Sequence, residues 1–181
     1  LEQAADIAVD RGSRSSVALL RVLLGEMHAS EPDLHICEPR PEALFAHHDT
    51  VLVIGDRADE IEPRGLHVYD LGEMWYELTG LPFVFAAWVL SERISRSDER
   101  RGELIEILSQ ARDRGLSRLE ELAESESRRR RLDPASVLVY WREHIHYTLG
   151  EAELAGLQKF ASLAAKYDLV GTERSVRVAQ M

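Results

Sequence analysis

Gly12-Ser13-Arg14-Ser15-Ser16 is a run of residue types suited to holding an anion. It stands between a short apolar run, Ile7-Ala8-Val9, and a segment whose Val17, Leu20, Leu23 and Leu24 share a helical face. A strand turning into a helix there would bring backbone N–H groups, three hydroxyls and the positive end of a helix to one spot, a natural receptor for a carboxylate or phosphate. Arg14 could add a bidentate clamp. Ser13 or Ser15 could equally do no more than cap the helix, and composition alone favours that role because capping serines are common. A second group, Gly55-Asp56, closes the apolar run Thr50-Val51-Leu52-Val53-Ile54. Asp56 could accept a hydrogen bond from a substrate hydroxyl, or serve as a turn residue or helix cap. If the two strands are parallel neighbours, both groups lie outside the carboxyl ends of the sheet, where open α/β folds bind their ligands.

Other candidates carry less. His47 and His48 are sequential and point different ways, while His144 and His146 on one helix fall about 200° apart. No HExxH, CxxC or paired-histidine spacing occurs, so neither a metal nor a cofactor is expected. Arg128-Arg129-Arg130-Arg131 resembles a nucleic-acid patch, yet it ends a helix rich in Glu120, Glu121, Glu124 and Glu126, where cations favour the helix C-terminus. Trp75, Tyr76, Tyr140, Trp141, Tyr147 and Phe160 read as core. There is no Walker loop, no Gly-x-Gly-x-x-Gly and no Gly-x-Ser-x-Gly.

Positioning the two anion-binding groups requires alternating strands and helices. Strands are expected at 7–9, 34–37, 50–54, 66–70 and 83–89, with helices at 15–25, 42–46 and 72–79, the last stopped by Gly80. Such alternation predicts an α/β class with a largely parallel sheet. Beyond Ser91 the pattern turns helical. Ser97 and Asp133-Pro134 mark helix starts, and Thr148-Leu149-Gly150-Glu151 reads as a capping box before the stripe Leu154, Leu157, Phe160, Ala161, Ala164. The change of organisation divides the chain into an α/β lobe at 1–82, a crossing strand at 83–90 and a helical part at 91–181.

Composition excludes several classes. The chain has 181 residues, 45% hydrophobic and 30% charged, with 11 Gly and 6 Pro, which fits a folded globular protein and neither disorder nor low complexity. A net charge of −10 repels phosphate backbones and anionic bilayers, so no nucleic acid and no membrane partner is expected. The longest apolar run, 81–90, contains Pro82 and is too short to span a bilayer, which needs roughly 20 residues, so it is expected to be a buried strand. Cys37 is the single cysteine, which with the absence of a signal-peptide pattern suits the cytoplasm. The chain opens on Leu1 rather than Met and runs at once into a periodic segment, so the natural protein is expected to begin further upstream.

The run from Val68-Tyr69-Asp70-Leu71-Gly72-Glu73-Met74-Trp75-Tyr76-Glu77-Leu78-Thr79-Gly80-Leu81-Pro82-Phe83 to Trp88 resembles the signature of MqnA-type chorismate dehydratases of the futalosine route to menaquinone. Three further stretches are similar to the same family in the same order. These are Ser13-Arg14-Ser15-Ser16-Val17-Ala18-Leu19-Leu20, then Val51-Leu52-Val53-Ile54-Gly55-Asp56, then Tyr147-Thr148-Leu149-Gly150 with Gly156-Leu157 and Phe160. The resemblance implies a two-lobed fold of the type II periplasmic-binding-protein kind in a cytoplasmic enzyme, with substrate held between the lobes. On that template 1–82 is the second lobe, 83–90 the return crossing, and the helical remainder packs on the first lobe. Family members begin with about ninety further residues, an ordinary domain scale, so the first lobe is expected to be incomplete here or supplied by another chain.

The resemblance further implies a reaction, loss of water from chorismate to give 3-[(1-carboxyvinyl)oxy]benzoate. The ring C3 proton and the C4 hydroxyl leave, aromatisation drives the step, and positioning with oriented dipoles carries the catalysis. Ser13, Arg14, Ser15, Ser16, Gly55 and Asp56 become the expected substrate-binding residues. The base stays open between Asp56 and the substrate's own enolpyruvyl carboxylate. Three alternatives stand beside this reading: the sister enzyme 1,4-dihydroxy-6-naphthoate synthase, a non-catalytic binding module for small anions, and a structural or interaction protein built on the helical half.

Overall fold

The computed structural model describes residues 4–37, 45, 47–55, 58, 61, 65–91, 94 and 97–171. The chain divides into two compact units, one of 1–86 with 151–176 and one built mainly of 87–150. It is a mixed α/β protein with a small parallel sheet and many helices. No helix among the described residues is long and apolar enough to cross a membrane.

In the first unit, β1 (Asp6–Asp10), α1 (Ser15–His28), β2 (Asp33–Cys37) and β3 (Val51–Leu52) build a three-stranded sheet of order β2-β1-β3. Both pairings are parallel, with Ala8 opposite His35 and Val51, and Val9 opposite Ile36 and Leu52. Period-2 alternation sends Ile7 and Val9 to one face, where they join Leu20, Leu24 and Leu52 in a core that Val17 and Leu34 flank. The opposite edge of α1 is also apolar. Leu19, Val22 and Leu23 pack with Trp75 of α2 (Leu71–Thr79) and Leu163 of α6 (Glu151–Lys166). One helix thus serves two cores, and α6, from the helical half of the sequence, is anchored in this unit.

The signature run is largely explained by how α2 is held. Asp70 caps it, its Oδ1 accepting from the amides of Gly72 (2.7 Å) and Glu73 (3.0 Å). Gly80, at φ 68°, ends it in the left-handed conformation that glycine adopts freely. Thr79 Oγ1 donates to the Trp75 carbonyl and accepts from the Leu81 amide, fixing the exit turn.

At the far end of α6, Tyr167 Oη donates to Glu26 Oε1 at 2.8 Å and Lys166 Nζ donates to the same oxygen. These bonds, Lys166 first and Tyr167 second, hold the Glu26 carboxyl below its ordinary range. Gly25 leaves room for the Tyr167 ring, since a Cβ there would stand 2.4 Å from it. A depressed carboxylate stabilises the fold above its unfolded pKa of about 4.3, and the contribution disappears as pH falls through the lower folded value. Glu26→Gln should therefore cost up to about 1 kcal/mol at pH 7, the range for a solvent-screened pair. In acid melts the difference between variant and parent should shrink as pH falls and vanish once Glu26 is protonated in the folded state; a constant difference at all pH would deny Glu26 this role.

The second unit holds α3 (Asp98–Leu116), α4 (Leu119–Arg130), α5 (Pro134–Val139) and a π-helical turn (Tyr140–His144). Ser97 Oγ accepts from the Arg100 amide to start α3. Asp133 Oδ2 accepts from the amide and hydroxyl of Ser136, and these bonds, amide first, hold its carboxyl below the usual range. Ala123, Ser127 and Val137 are buried where α4 meets α5. Arg129 and Arg130 donate to Glu126, and Arg128 lies 4.0 Å from Glu124, so these three arginines of the basic run pair within their own helix.

Three expectations need correction. Residues 66–70 and 83–89 form no strand among the described residues, and 50–54 forms one only at Val51–Leu52. Alternating apolar residues make a strand only where a neighbouring strand offers a hydrogen-bond ladder, and among the described residues neither segment has one. Within the run expected to be a buried strand, Trp88 is 84% and Val89 86% exposed. The expected helix at 42–46 lies outside the described residues except for Phe45, which is helical.

Candidate functional site

The order β2-β1-β3 has a direct consequence for ligand binding. The chain leaves β1, passes through α1 to β2 on one side, and returns to place β3 on the other side of β1. The strand order reverses between β1 and β3, and a crevice opens outside their carboxyl ends at such a switch point. The segments that follow those two ends are 11–16 and 53–55, so the structure brings Ser13 to Ser16 and Gly55 to one end of the sheet.

The turn out of β1 is built by Asp10, which is buried and whose Oδ1 accepts from the Gly12 amide at 2.7 Å. The Ser13 amide donates to the Asp10 carbonyl at 2.9 Å. Asp10 was not singled out among the candidate residues; the Asp-x-Gly spacing of an Asx turn is the signal that points to it.

Helix α1 then begins without a side-chain cap. Its N-cap residue is Arg14, whose side chain accepts no capping bond, and neither Ser13 nor Ser15 takes that place. Ala18 donates to the Arg14 carbonyl at 3.1 Å, so the amides of Ser15, Ser16 and Val17 precede the helical ladder, as at any helix start. Ser13 is 7% exposed and its Oγ has no hydrogen-bond partner among the described residues. A buried hydroxyl left unpaired costs about 1–3 kcal/mol, which marks a place where a ligand can supply the partner. Ser15 and Arg14 are exposed and Ser16 is half-buried. Free amides, the buried Ser13 hydroxyl and the helix dipole meet at this end of α1, with Arg14 exposed beside them, an arrangement that can receive a carboxylate or phosphate.

Gly55 is exposed at φ 62°, a left-handed position that lets the chain turn away from β3, and its carbonyl accepts from the Ala58 amide at 3.0 Å. Asp56 lies outside the described residues.

A second group of polar side chains escaped the reading of spacings. Asp6, His35 and His48 each offer a ligand atom within 4.8 Å of the others. Asp6 and His48 are far apart in sequence, so only the folded sheet brings them together.

A family model described as menaquinone biosynthesis matches residues 1–166. The chain is also 36% identical over 178 residues to a chorismate dehydratase of Thermus thermophilus, a match that covers 89% of this chain and 63% of that relative. The chain spans less than two thirds of the length of that curated relative.

Proposed function

The chain belongs to the menaquinone-biosynthesis family, and from that membership we propose that it serves in the dehydration of chorismate to 3-[(1-carboxyvinyl)oxy]benzoate, on the futalosine route in the cytoplasm. Chorismate is a dianion, and the uncapped start of α1 is the part of the chain best suited to hold one of its carboxylates. The observation that carries this is the buried hydroxyl of Ser13 at the β1/β3 switch point, which has no partner among the described residues. Ser15, Ser16 and Arg14 complete the grip, with Gly55 beyond the end of β3 and Asp56, next in sequence, as a further acceptor for the substrate. A two-lobed fold of periplasmic-binding-protein type, with 1–82 as one lobe and 83–90 as the crossing, is supported by the parallel sheet and its switch point.

Chemically, the site has to hold the ring so that the C3 proton and the C4 hydroxyl can leave while the enolpyruvyl side chain is kept from competing rearrangement. Fixed amide dipoles do this without reorganising as charge moves. Two groups can take the C3 proton: the carboxylate of Asp56, and the enolpyruvyl carboxylate of chorismate itself.

The test follows the ultraviolet spectrum of chorismate incubated with a protein carrying this chain, where an aromatic benzoate product should grow in. Ser15→Ala with Ser16→Ala should weaken binding of chorismate or product by about 1–3 kcal/mol, roughly five- to 150-fold. Ser13→Ala should also weaken binding yet leave the ligand-free melting temperature unchanged or raised, because the parent hydroxyl is unsatisfied. Unaltered affinity in calorimetry would remove these serines from the site. Binding without any aromatic product would instead identify an anion-binding module.

A further inference from the structure

We propose that Asp6, His35 and His48 form a binding site for one divalent transition-metal ion of the zinc class, on the face of the sheet away from α1. The parallel register explains how the ligands meet. Asp6 stands opposite Asp33, Ala8 opposite His35, and Asp10 opposite Cys37, so alternation puts Asp6 and His35 on the face away from Ile7, Val9 and α1. His48, just ahead of β3, completes the group. Its Nδ1 lies 2.8 Å from Asp6 Oδ1, and its ring stands 5.0 Å from that of His35 at an interplanar angle of 31°.

Two imidazoles and one carboxylate are a donor set that zinc and its neighbours in the first transition row bind well, leaving a fourth position for water. Ligand atoms about 2.0–2.2 Å from a tetrahedral ion stand about 3.4 Å apart. The three atoms here lie within 4.8 Å of one another. Closure therefore asks for about an ångström of movement and for release of the proton shared by His48 Nδ1 and Asp6 Oδ1, and the side chains of Asp6 and His35 are both exposed. The other nitrogen of His48 is already placed. Nε2 lies 3.9 Å from Cys37 Sγ, so a metal on Nδ1 leaves the Nε2 proton facing a soft acceptor that fixes the ring and its tautomer.

The ion would tie the start of β1, the middle of β2 and the approach to β3 into one unit. The ligands lie on the sheet face away from α1, so the ion is no part of the grip proposed at the start of α1. Its role is to hold the sheet.

Zinc titrated calorimetrically into chelator-treated, metal-free protein should bind with one equivalent and raise the melting temperature. His35→Gln and Asp6→Asn should each weaken binding at least tenfold, and His35→Gln with His48→Gln should abolish it. His47→Gln, adjacent in sequence but outside the group, should bind as the parent does. Cobalt(II) provides a second readout in the same samples, with visible bands in the parent that disappear in His35→Gln. Should a His48 variant fold poorly, the exposed His35 and Asp6 variants decide the matter alone. Absence of a one-equivalent isotherm in the parent, or parent-like affinity in His35→Gln and Asp6→Asn, would overturn the site.

Discussion

Trp75→Ala should cost about 3–5 kcal/mol of stability, the range for truncating a fully buried large aromatic side chain. Trp75 has 0% exposure and stands where three elements of the first unit converge. It packs with Leu19, Val22 and Leu23 of α1 and with Leu163 of α6. Its ring meets Phe83 edge-on at 5.5 Å and Phe160 edge-on at 5.9 Å, while Phe83 and Phe160 meet each other at 4.9 Å. Edge-to-face geometry of this kind adds about 0.5–1.5 kcal/mol per pair beyond burial, so the truncation loses oriented contacts as well as volume. The indole Nε1 has no hydrogen-bond partner among the described residues, so packing accounts for the cost. Trp75→Phe should accordingly recover part of the loss. Tyr76→Ala, one residue along and exposed, should change stability by no more than about 0.5 kcal/mol. Urea denaturation of the three variants would check this, and a Trp75→Ala midpoint close to the parent's would show that the aromatic cluster does not hold α1, α2 and α6 together.

Local signals in the sequence predicted local structure well. Gly80, Ser97 and Asp133-Pro134 mark helix ends where the structure has them, because a cap acts within a few residues of itself, whereas Asp70, read as the end of a strand, is the cap of α2. The segments 66–70 and 83–89 read as strands and form none among the described residues, since alternation carries no information about a ladder partner. The site divided along the same line. The serine-rich helix start was visible as a motif, whereas the vacant cap and the unpartnered Ser13 hydroxyl depend on how the chain turns at Asp10. The reversal of strand order that sets 11–16 beside 53–55 is a property of topology, and the Asp6, His35 and His48 group arises only from register. Histidine spacing argued against a metal because it compares neighbours in sequence. Strand pairing supplies different neighbours.

Gly156→Ala should destabilise the protein by about 2 kcal/mol, although helix propensity points the other way. Exchanging glycine for alanine inside a helix is worth up to about 1 kcal/mol of stabilisation where nothing else intervenes. At Gly156, in α6, something does. An added Cβ would stand 2.1 Å from the Pro82 carbonyl oxygen and 3.3 Å from its carbon. That neighbour is backbone, and its position is fixed by the exit turn of α2, where Thr79 Oγ1 accepts from the Leu81 amide. It cannot rotate aside as a side chain would, so α6 has to retreat and loosen Phe160 and Leu163 against Trp75. Overpacking of this kind costs about 1–3 kcal/mol and sometimes more, which outweighs the propensity gain. Gly102, inside α3 and with no atom within 4 Å of an added Cβ, supplies the opposite case. Gly102→Ala should stabilise by about 0.5–1 kcal/mol. The two substitutions are chemically identical, so their opposite signs in one denaturation series would isolate the close approach of α6 to Pro82 as the cause. A Gly156→Ala variant as stable as the parent would show that α6 does not pack so closely on that turn.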